Sequence, residues 1–328
     1  MNTVPVTHPD VTPPSARTLA GIASGLGAGA LWGLVFLAPE LLRDFSPLQM
    51  AIGRYLAYGL IAAVLVAPRW RRLVAILPGR QWWNLAWLAL AGNTVYYLLL
   101  SSAVQAGGIA MASLVVGMVP VAVTVAGSRE HGAVPVHRLL PSLLLCATGI
   151  ACIAWQALAT PGQGAATRPW FGLACALGAL ASWTAFAIGN TRSLARMRQV
   201  SAHDWNLLLG VVTGVQSLLL VPLALGLGLG GHDGQAWLRL GAVSVGLALL
   251  ASIAGNSLWN RMSRLLPLTL VGQMIVFETV FALFYGWLWE RRLPTSLELA
   301  ALALVVLGVL ACLAAHRRPA TVVAAGAA

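Results

Sequence analysis

The chain has 328 residues, of which 59% are apolar and only 9% charged, against about 25% charged in an ordinary soluble domain. So little charge could not cover the surface of a soluble fold. The net charge of +11 comes from arginine alone, since no lysine occurs; arginines placed singly or in small groups between long apolar runs are the pattern of membrane-protein loops and argue against nucleic acid as a partner.

Residues 1–18, rich in Pro and Thr, are expected to form a disordered cytoplasmic tail. A helix crosses a hydrocarbon core of about 30 Å with about 20 apolar residues. Ten such segments occur, at 19–39, 48–67, 83–103, 108–127, 138–158, 170–190, 205–227, 237–258, 268–289 and 296–316. The run from Leu19 to Leu42 is long enough to span, so it is read as the first helix and not as a cleavable signal. The expected fold is an all-α integral membrane protein of ten transmembrane helices. It divides into a first unit at 19–158, a linker at 159–169, a second unit at 170–316 and a cytoplasmic tail at 317–328.

Arginine placement sets the expected orientation. With the N terminus inside, Arg17, Arg69, Arg71, Arg72, Arg80, Arg129, Arg138, Arg192, Arg196, Arg198, Arg261, Arg264, Arg317 and Arg318 are cytoplasmic, and the other face keeps Arg43, Arg168, Arg239, Arg291 and Arg292. Both termini are then cytoplasmic, in a membrane of the bacterial inner type.

An internal repeat appears when GNTVYYLLLS from Gly92 is laid over GNSLWNRMSR from Gly255. Asn93 pairs with Asn256, Tyr96 with Trp259 and Tyr97 with Asn260; Trp32 likewise matches Trp183, and Glu130 matches Glu290. Each half holds five spans, and an odd number places the halves in opposite orientations as an inverted repeat.

Several polar and aromatic residues stand out within the spans. Glu278 is a carboxylate inside an apolar run, which costs about 2.5–3.5 kcal/mol on insertion scales unless it faces a cavity or a partner. It is read as lining the central pathway, where it binds a cationic group or a proton; the alternative is a structural hydrogen bond to a neighbouring helix. Its stripe at helical spacing is Met274, Glu278, Phe281 and Tyr285. Asn93, Tyr96, Tyr97 and Ser101 recur at i, i+3, i+4 and i+8 on one helix face, and Asn256, Trp259, Asn260 and Arg264 form the matching face. Both stripes are pathway candidates, with helix-to-helix hydrogen bonding as the alternative. Trp32 and Trp183 lie deep in their spans and are cavity candidates too. Gly25, Gly29 and Gly33 bare one helix face for close packing. Arg54 is expected to snorkel to the outer interface or to pair with Glu40 or Asp44, and Glu130 and Glu290, beside Arg129 and Arg291, to sit at solvated ends or in salt bridges, with a gate as the alternative.

The segments ALWGLVF and SPLQMAIGRYLAYGL resemble the opening of the EamA repeat of the drug/metabolite transporters, with Leu-Trp-Gly in the first helix and the Arg54 and Tyr55 pair in the second. The stretch from Ala112 to Ile153, with Pro120 and Glu130, resembles the repeat's second part; FETVF and WLWERRLP, carrying Glu278 and Glu290, resemble its later segments. Thr279 stands where the family usually has proline, Glu40 where lysine is common, and Leu34 and Val35 where polar residues often follow the glycine. The resemblance implies a secondary transporter exporting a small metabolite by alternating access, its cargo an amino acid, a related amine or a drug-like amphiphile. Aromatic residues at the candidate positions favour an aromatic or apolar amino acid. Coupling to protons or exchange is expected in place of ATP, because no Gly-rich phosphate loop with Lys and Ser or Thr exists.

No cofactor or metal is expected. Cys146, Cys152, Cys175 and Cys312 lie in apolar runs as small packing residues, without the spacing of a metal site. Two other classes remain open, a membrane-embedded lipid-modifying enzyme and a passive scaffold. An altered lipid structure would favour the first, and transport unaffected by mutating both stripes the second. The sequence carries no signal for oligomeric state.

Overall fold

The computed structural model describes residues 16–127, 136–159, 168–197, 199–266, 274 and 276–317. Glu130, the 1–15 part of the N-terminal tail, residues 160–167 of the expected linker, residues 267–273 at the start of the expected ninth span, and the tail from 318 onward lie outside them. Among the described residues every regular element is helical.

The helices are α1 (Ala16–Leu41), α2 (Pro47–Val66), α3 (Trp70–Ile76), α4 (Gly79–Ala89), α5 (Tyr96–Val116), α6 (Val119–Gly127), α7 (Val136–Ala159), α8 (Pro169–Arg196), α9 (Ala202–Gly226), α10 (Gly234–Leu247), α11 (Asn256–Leu265), α12 (Val276–Glu290) and α13 (Ser296–Arg317). Seven stretches among the described residues are long and apolar enough to cross a membrane, namely Ala16–Leu41, Pro47–Ile76, Gly79–Val116, His137–Gln156, Pro169–Leu194, Ala202–Gly226 and Gly234–Leu265, while Ser296–Cys312 is shorter. Their outer faces expose Leu219, Leu238, Leu144 and Leu60, side chains that suit a hydrocarbon solvent and would not suit water. Trp83, Trp155, Trp170 and Trp289 are exposed near helix ends, the depth at which indole rings favour the membrane interface.

The third and fourth expected spans run on without a loop. At Gly108 the backbone leaves helical geometry, with φ 86° and ψ 163°, a left-handed conformation open to glycine because no Cβ collides with the carbonyl. A two-residue break at Gly117 and Met118 then separates α5 from α6.

Helix starts are fixed by short polar side chains. Ser46 Oγ accepts from the Gln49 amide at 3.2 Å while Gln49 Oε1 accepts from the Ser46 amide at 2.9 Å, a reciprocal cap before α2 with Pro47 at the first helical position. Ser201 Oγ accepts from the Asp204 amide at the start of α9. Before α13, Thr295 Oγ1 and the Glu298 carboxylate exchange the same pair of bonds, and Arg292 forks onto Glu298. Those hydrogen bonds to Glu298 hold the Arg292 guanidinium above its ordinary pKa.

Two π-helical segments interrupt long helices, Leu90–Val95 between α4 and α5 and Ala248–Gly255 between α10 and α11. Their i→i+5 bonding widens the turn and leaves carbonyls for other partners. Ser182 Oγ donates to the Ala91 carbonyl at 2.7 Å, and Trp32 Nε1 to the Ala251 carbonyl at 3.0 Å. Gly92 and Gly255 admit the aromatic rings that press on these turns: a Cβ at Gly92 would meet Phe186 at 2.3 Å, and one at Gly255 would meet Trp32 Nε1 at 2.7 Å.

Close helix pairs use glycine on one side or on both. α2 meets α9 where Gly59 faces Gly214, α5 meets α8 where Gly107 faces Gly172, and α7 meets α13 where Gly308 faces Cys146. The Gly25, Gly29 and Gly33 face of α1 lies toward α12 and α11. A Cβ at Gly29 would stand 3.0 Å from the Glu278 amide nitrogen, one at Gly33 2.9 Å from that of Ala282, and one at Gly25 2.7 Å from Met262 Sδ.

Candidate functional site

α2 and α9 run antiparallel, so that Gln49 near the start of one bonds the Leu229 carbonyl just beyond the end of the other, and α1, α5, α8, α11 and α12 share a cavity lining with them. Together with the two π segments they enclose a cavity of about 450 Å³. Trp32, Asn93, Tyr96, Trp183, Asn256, Trp259, Asn260 and Glu278 all line it, from both the N-terminal and the C-terminal parts of the chain. Trp32 and Trp259 stack across the seam between α1 and α11 with ring centroids 5.1 Å apart, and Trp183 meets Phe186 edge-on at 5.9 Å.

Tyr97 and Ser101 stand behind the wall. Tyr97 is 1% exposed, and Ser101 Oγ donates to the Tyr97 carbonyl at 2.6 Å. At about 100° per residue, Tyr97 and Ser101 point about 100° and 140° away from Tyr96, so with Tyr96 on the wall they face the neighbouring helices. The Met274, Glu278, Phe281 and Tyr285 stripe is likewise split. Only Glu278 reaches the cavity; Phe281 packs at Gly33, Met274 at Gly25, and Tyr285 Oη donates to the Ala30 carbonyl at 3.1 Å.

Arg54 is the main correction to the reading of the sequence. The two acids expected to hold it are taken, Glu40 by Arg43 and Asp44 by Arg239. Arg54 lies seven residues into α2, about 10 Å along the helix at 1.5 Å per residue, only 8% exposed, on the cavity wall. Its guanidinium carbon sits 4.4 Å from the Tyr97 ring centroid and 5.2 Å from that of Tyr55. Nε and Nη1 have no hydrogen-bond partner.

Further polar or amphipathic lining residues, among them Tyr58, Asn190, Asn206 and Thr279, escaped the sequence reading. Asn190 Oδ1 accepts from Trp205 Nε1 at 2.8 Å, Tyr58 Oη donates to the Asn206 carbonyl at 2.8 Å, and the side chain of Asn206 lies 3.4 Å from Asn256 Nδ2. Asn190 and Asn206 sat at the edges of the expected spans, where polar residues are ordinary; α8 runs on to Arg196 and α9 begins at Ala202, which carries both inside. Thr279, beside Glu278, completes this part of the wall.

Toward one end, the lining reaches Thr191 and Leu194 near the end of α8 and Ala202 at the start of α9. The opposite end is sealed. Gln49 bonds the Leu229 carbonyl, Gln105 the Phe45 carbonyl, Asp44 pairs with Arg239, and Phe45 packs against His232 at 4.1 Å and Trp237 at 5.5 Å between ring centroids. Glu290 pairs with Arg292 at this same end.

Long apolar helices around a polar, aromatic-walled cavity define a polytopic membrane protein of the solute-handling kind. Residues 19–155 match the EamA-like transporter family. Over 317 residues, the chain is 30% identical to "Inner membrane protein YtfF" of Escherichia coli (strain K12), covering 89% of this chain and 94% of that protein. The chain belongs to the EamA-like family of the drug/metabolite transporter superfamily. A solved crystal structure of a protein 18% identical to it, covering 93% of this chain and all of the other, superposes with a TM-score of 0.58, a likeness of fold.

Proposed function

We propose that this protein is a secondary transporter that exports a small metabolite such as an amino acid, with an aromatic or apolar side chain favoured, by alternating access. The observation that carries the reading is the cavity that joins Glu278 to polar and aromatic residues from both halves of the chain. Its aromatic walls suit an apolar body, and Glu278 suits a cationic group or a proton, so that proton coupling or exchange would drive the cycle.

The fold proposed for this cycle has ten spans in two inverted halves, 19–158 and 170–316. Paired features support it. Each half places a π segment that includes the glycine of its Gly-Asn pair, fills that glycine with an aromatic ring from α1 or α8, and satisfies a freed carbonyl from the same two helices. Arginines support the orientation: Arg17, Arg69, Arg192, Arg196, Arg261 and Arg264 gather at the cavity's reachable end, and Arg43, Arg239, Arg291 and Arg292 at the sealed one. With the former cytoplasmic, the conformation faces inward in a bacterial-type inner membrane, with both termini inside.

The test is efflux from liposomes containing the purified protein and loaded with mixed amino acids and amines, followed by mass spectrometry beside Glu278→Gln. Selective efflux by the wild type, reduced at least tenfold in the variant, is expected. Full retention of every solute by the wild type would sink the transport reading; equal efflux from both proteins would remove Glu278 from it.

A further inference from the structure

We propose that Arg54 is the anion subsite of the cavity and takes the carboxylate of the cargo, so that the protein selects solutes bearing a carboxylate beside an ammonium group. The inference rests on the transport reading above and narrows its substrate class.

A guanidinium in a membrane span is costly unless something answers its charge and its five donors. At Arg54 the guanidinium lies over the faces of two tyrosine rings, no ion pair joins it to a described carboxylate, and Nε and Nη1 have no partner. Cation–π contact on this scale contributes about 0.5–2 kcal/mol and leaves donors in the guanidinium plane unsatisfied. The rings restrict the orientation of the fork, and Tyr97 is itself immobilised in the core. A guanidinium held in the cavity wall with unsatisfied donors suits a carboxylate on the solute, to which it can give charge-assisted hydrogen bonds.

Glu278 lines the same cavity from α12 and interacts electrostatically with Arg54. No direct ion pair joins these two described residues. The cavity thus presents a separate cation and anion, and Trp32, Trp183 and Phe186 supply apolar wall. A solute with carboxylate, ammonium and apolar body satisfies all three; an amine without the carboxylate leaves Arg54 unanswered. Unpaired buried donors are what make a site reject an analogue lacking the matching group.

The experiment loads proteoliposomes with matched triads: L-phenylalanine, phenylethylamine and 3-phenylpropionate, then L-leucine, isoamylamine and 4-methylpentanoate. Efflux is measured for wild type, Arg54→Gln, Arg54→Lys and Glu278→Gln, each shown to be monodisperse. The wild type is expected to release an amino acid at least tenfold faster than its amine. Arg54→Gln should abolish that preference, and Arg54→Lys should restore part of it, a pattern a misfolded variant would not give. Equal release of amine and amino acid by the wild type, or an unchanged preference in Arg54→Gln, would overturn the subsite. So would an equal loss for amine and amino acid in Arg54→Gln, which would make Arg54 a structural counter-charge. Should the wild type release nothing, the transport reading fails, and quenching of cavity tryptophans by L-phenylalanine against L-phenylalaninamide decides Arg54 separately. Quenching that depends on the carboxylate and on Arg54 supports the subsite, and its absence ends it.

Discussion

At Trp32 a single side chain does two jobs. Its indole N–H closes the Ala251 carbonyl left by the π segment, and its ring stacks on Trp259 in the cavity wall. Trp32→Phe keeps most of the ring and removes the donor, leaving a carbonyl unsatisfied away from water at a cost of about 1–3 kcal/mol. A lower melting temperature in detergent and slower efflux are expected together; an unchanged melting temperature would show that the carbonyl finds another partner. Glu298 gives a contrasting case remote from the cavity. It is 1% exposed and accepts from both Arg292 Nη atoms and the Thr295 amide. Glu298→Ala leaves these donors stranded and should destabilise by about 1–3 kcal/mol, with the solute preference of the surviving protein unchanged.

Contact between elements here is set by missing side chains. Gly29 lets the backbone of α12 approach α1 at the level of Glu278, so the carboxylate's position depends on an atom that is not there. Gly29→Val would force α12 outward, at about 1–3 kcal/mol for overpacking, and is expected to slow efflux even where Glu278 is intact. Gly241→Ala, inside α10 with nothing within 4 Å of the added carbon, should stabilise by about 0.5–1 kcal/mol through helix propensity and leave efflux unchanged. The glycine spacing was legible in the sequence because i, i+4, i+8 repeats on one face; which helix would fill that face was not, since any apolar neighbour fits such a stripe.

For the molecule as a whole, the proposed cycle requires the sealed end to open. Asp44 and Arg239 are both substantially exposed, so their ion pair contributes only about 0–1 kcal/mol. Removing it with Asp44→Asn would shift an open–closed equilibrium by at most about fivefold. Faster labelling of an Asn256→Cys reporter by an impermeant maleimide added at that end is expected. Labelling unchanged by Asp44→Asn would assign closure to the Phe45, His232 and Trp237 cluster instead.

Composition and order along the chain by themselves determined that this is a membrane protein of the EamA-like kind. Apolar runs of spanning length have no other solvent, and polar residues such as Asn93, Tyr96, Asn256, Trp259 and Glu278 are conspicuous inside them. Only the tertiary structure decided which of these meet. Tyr97 and Ser101 stand behind the wall because Tyr96 takes the cavity-facing direction and they lie about 100° and 140° around the helix from it, and Asn190 and Asn206 move inside because their helices are longer than the apolar runs. Arg54 faces the cavity because Glu40 and Asp44, its neighbours in sequence, are claimed by Arg43 and Arg239 in space. Pairing of charges is a competition among all groups within reach, and a linear sequence records the contestants without the distances.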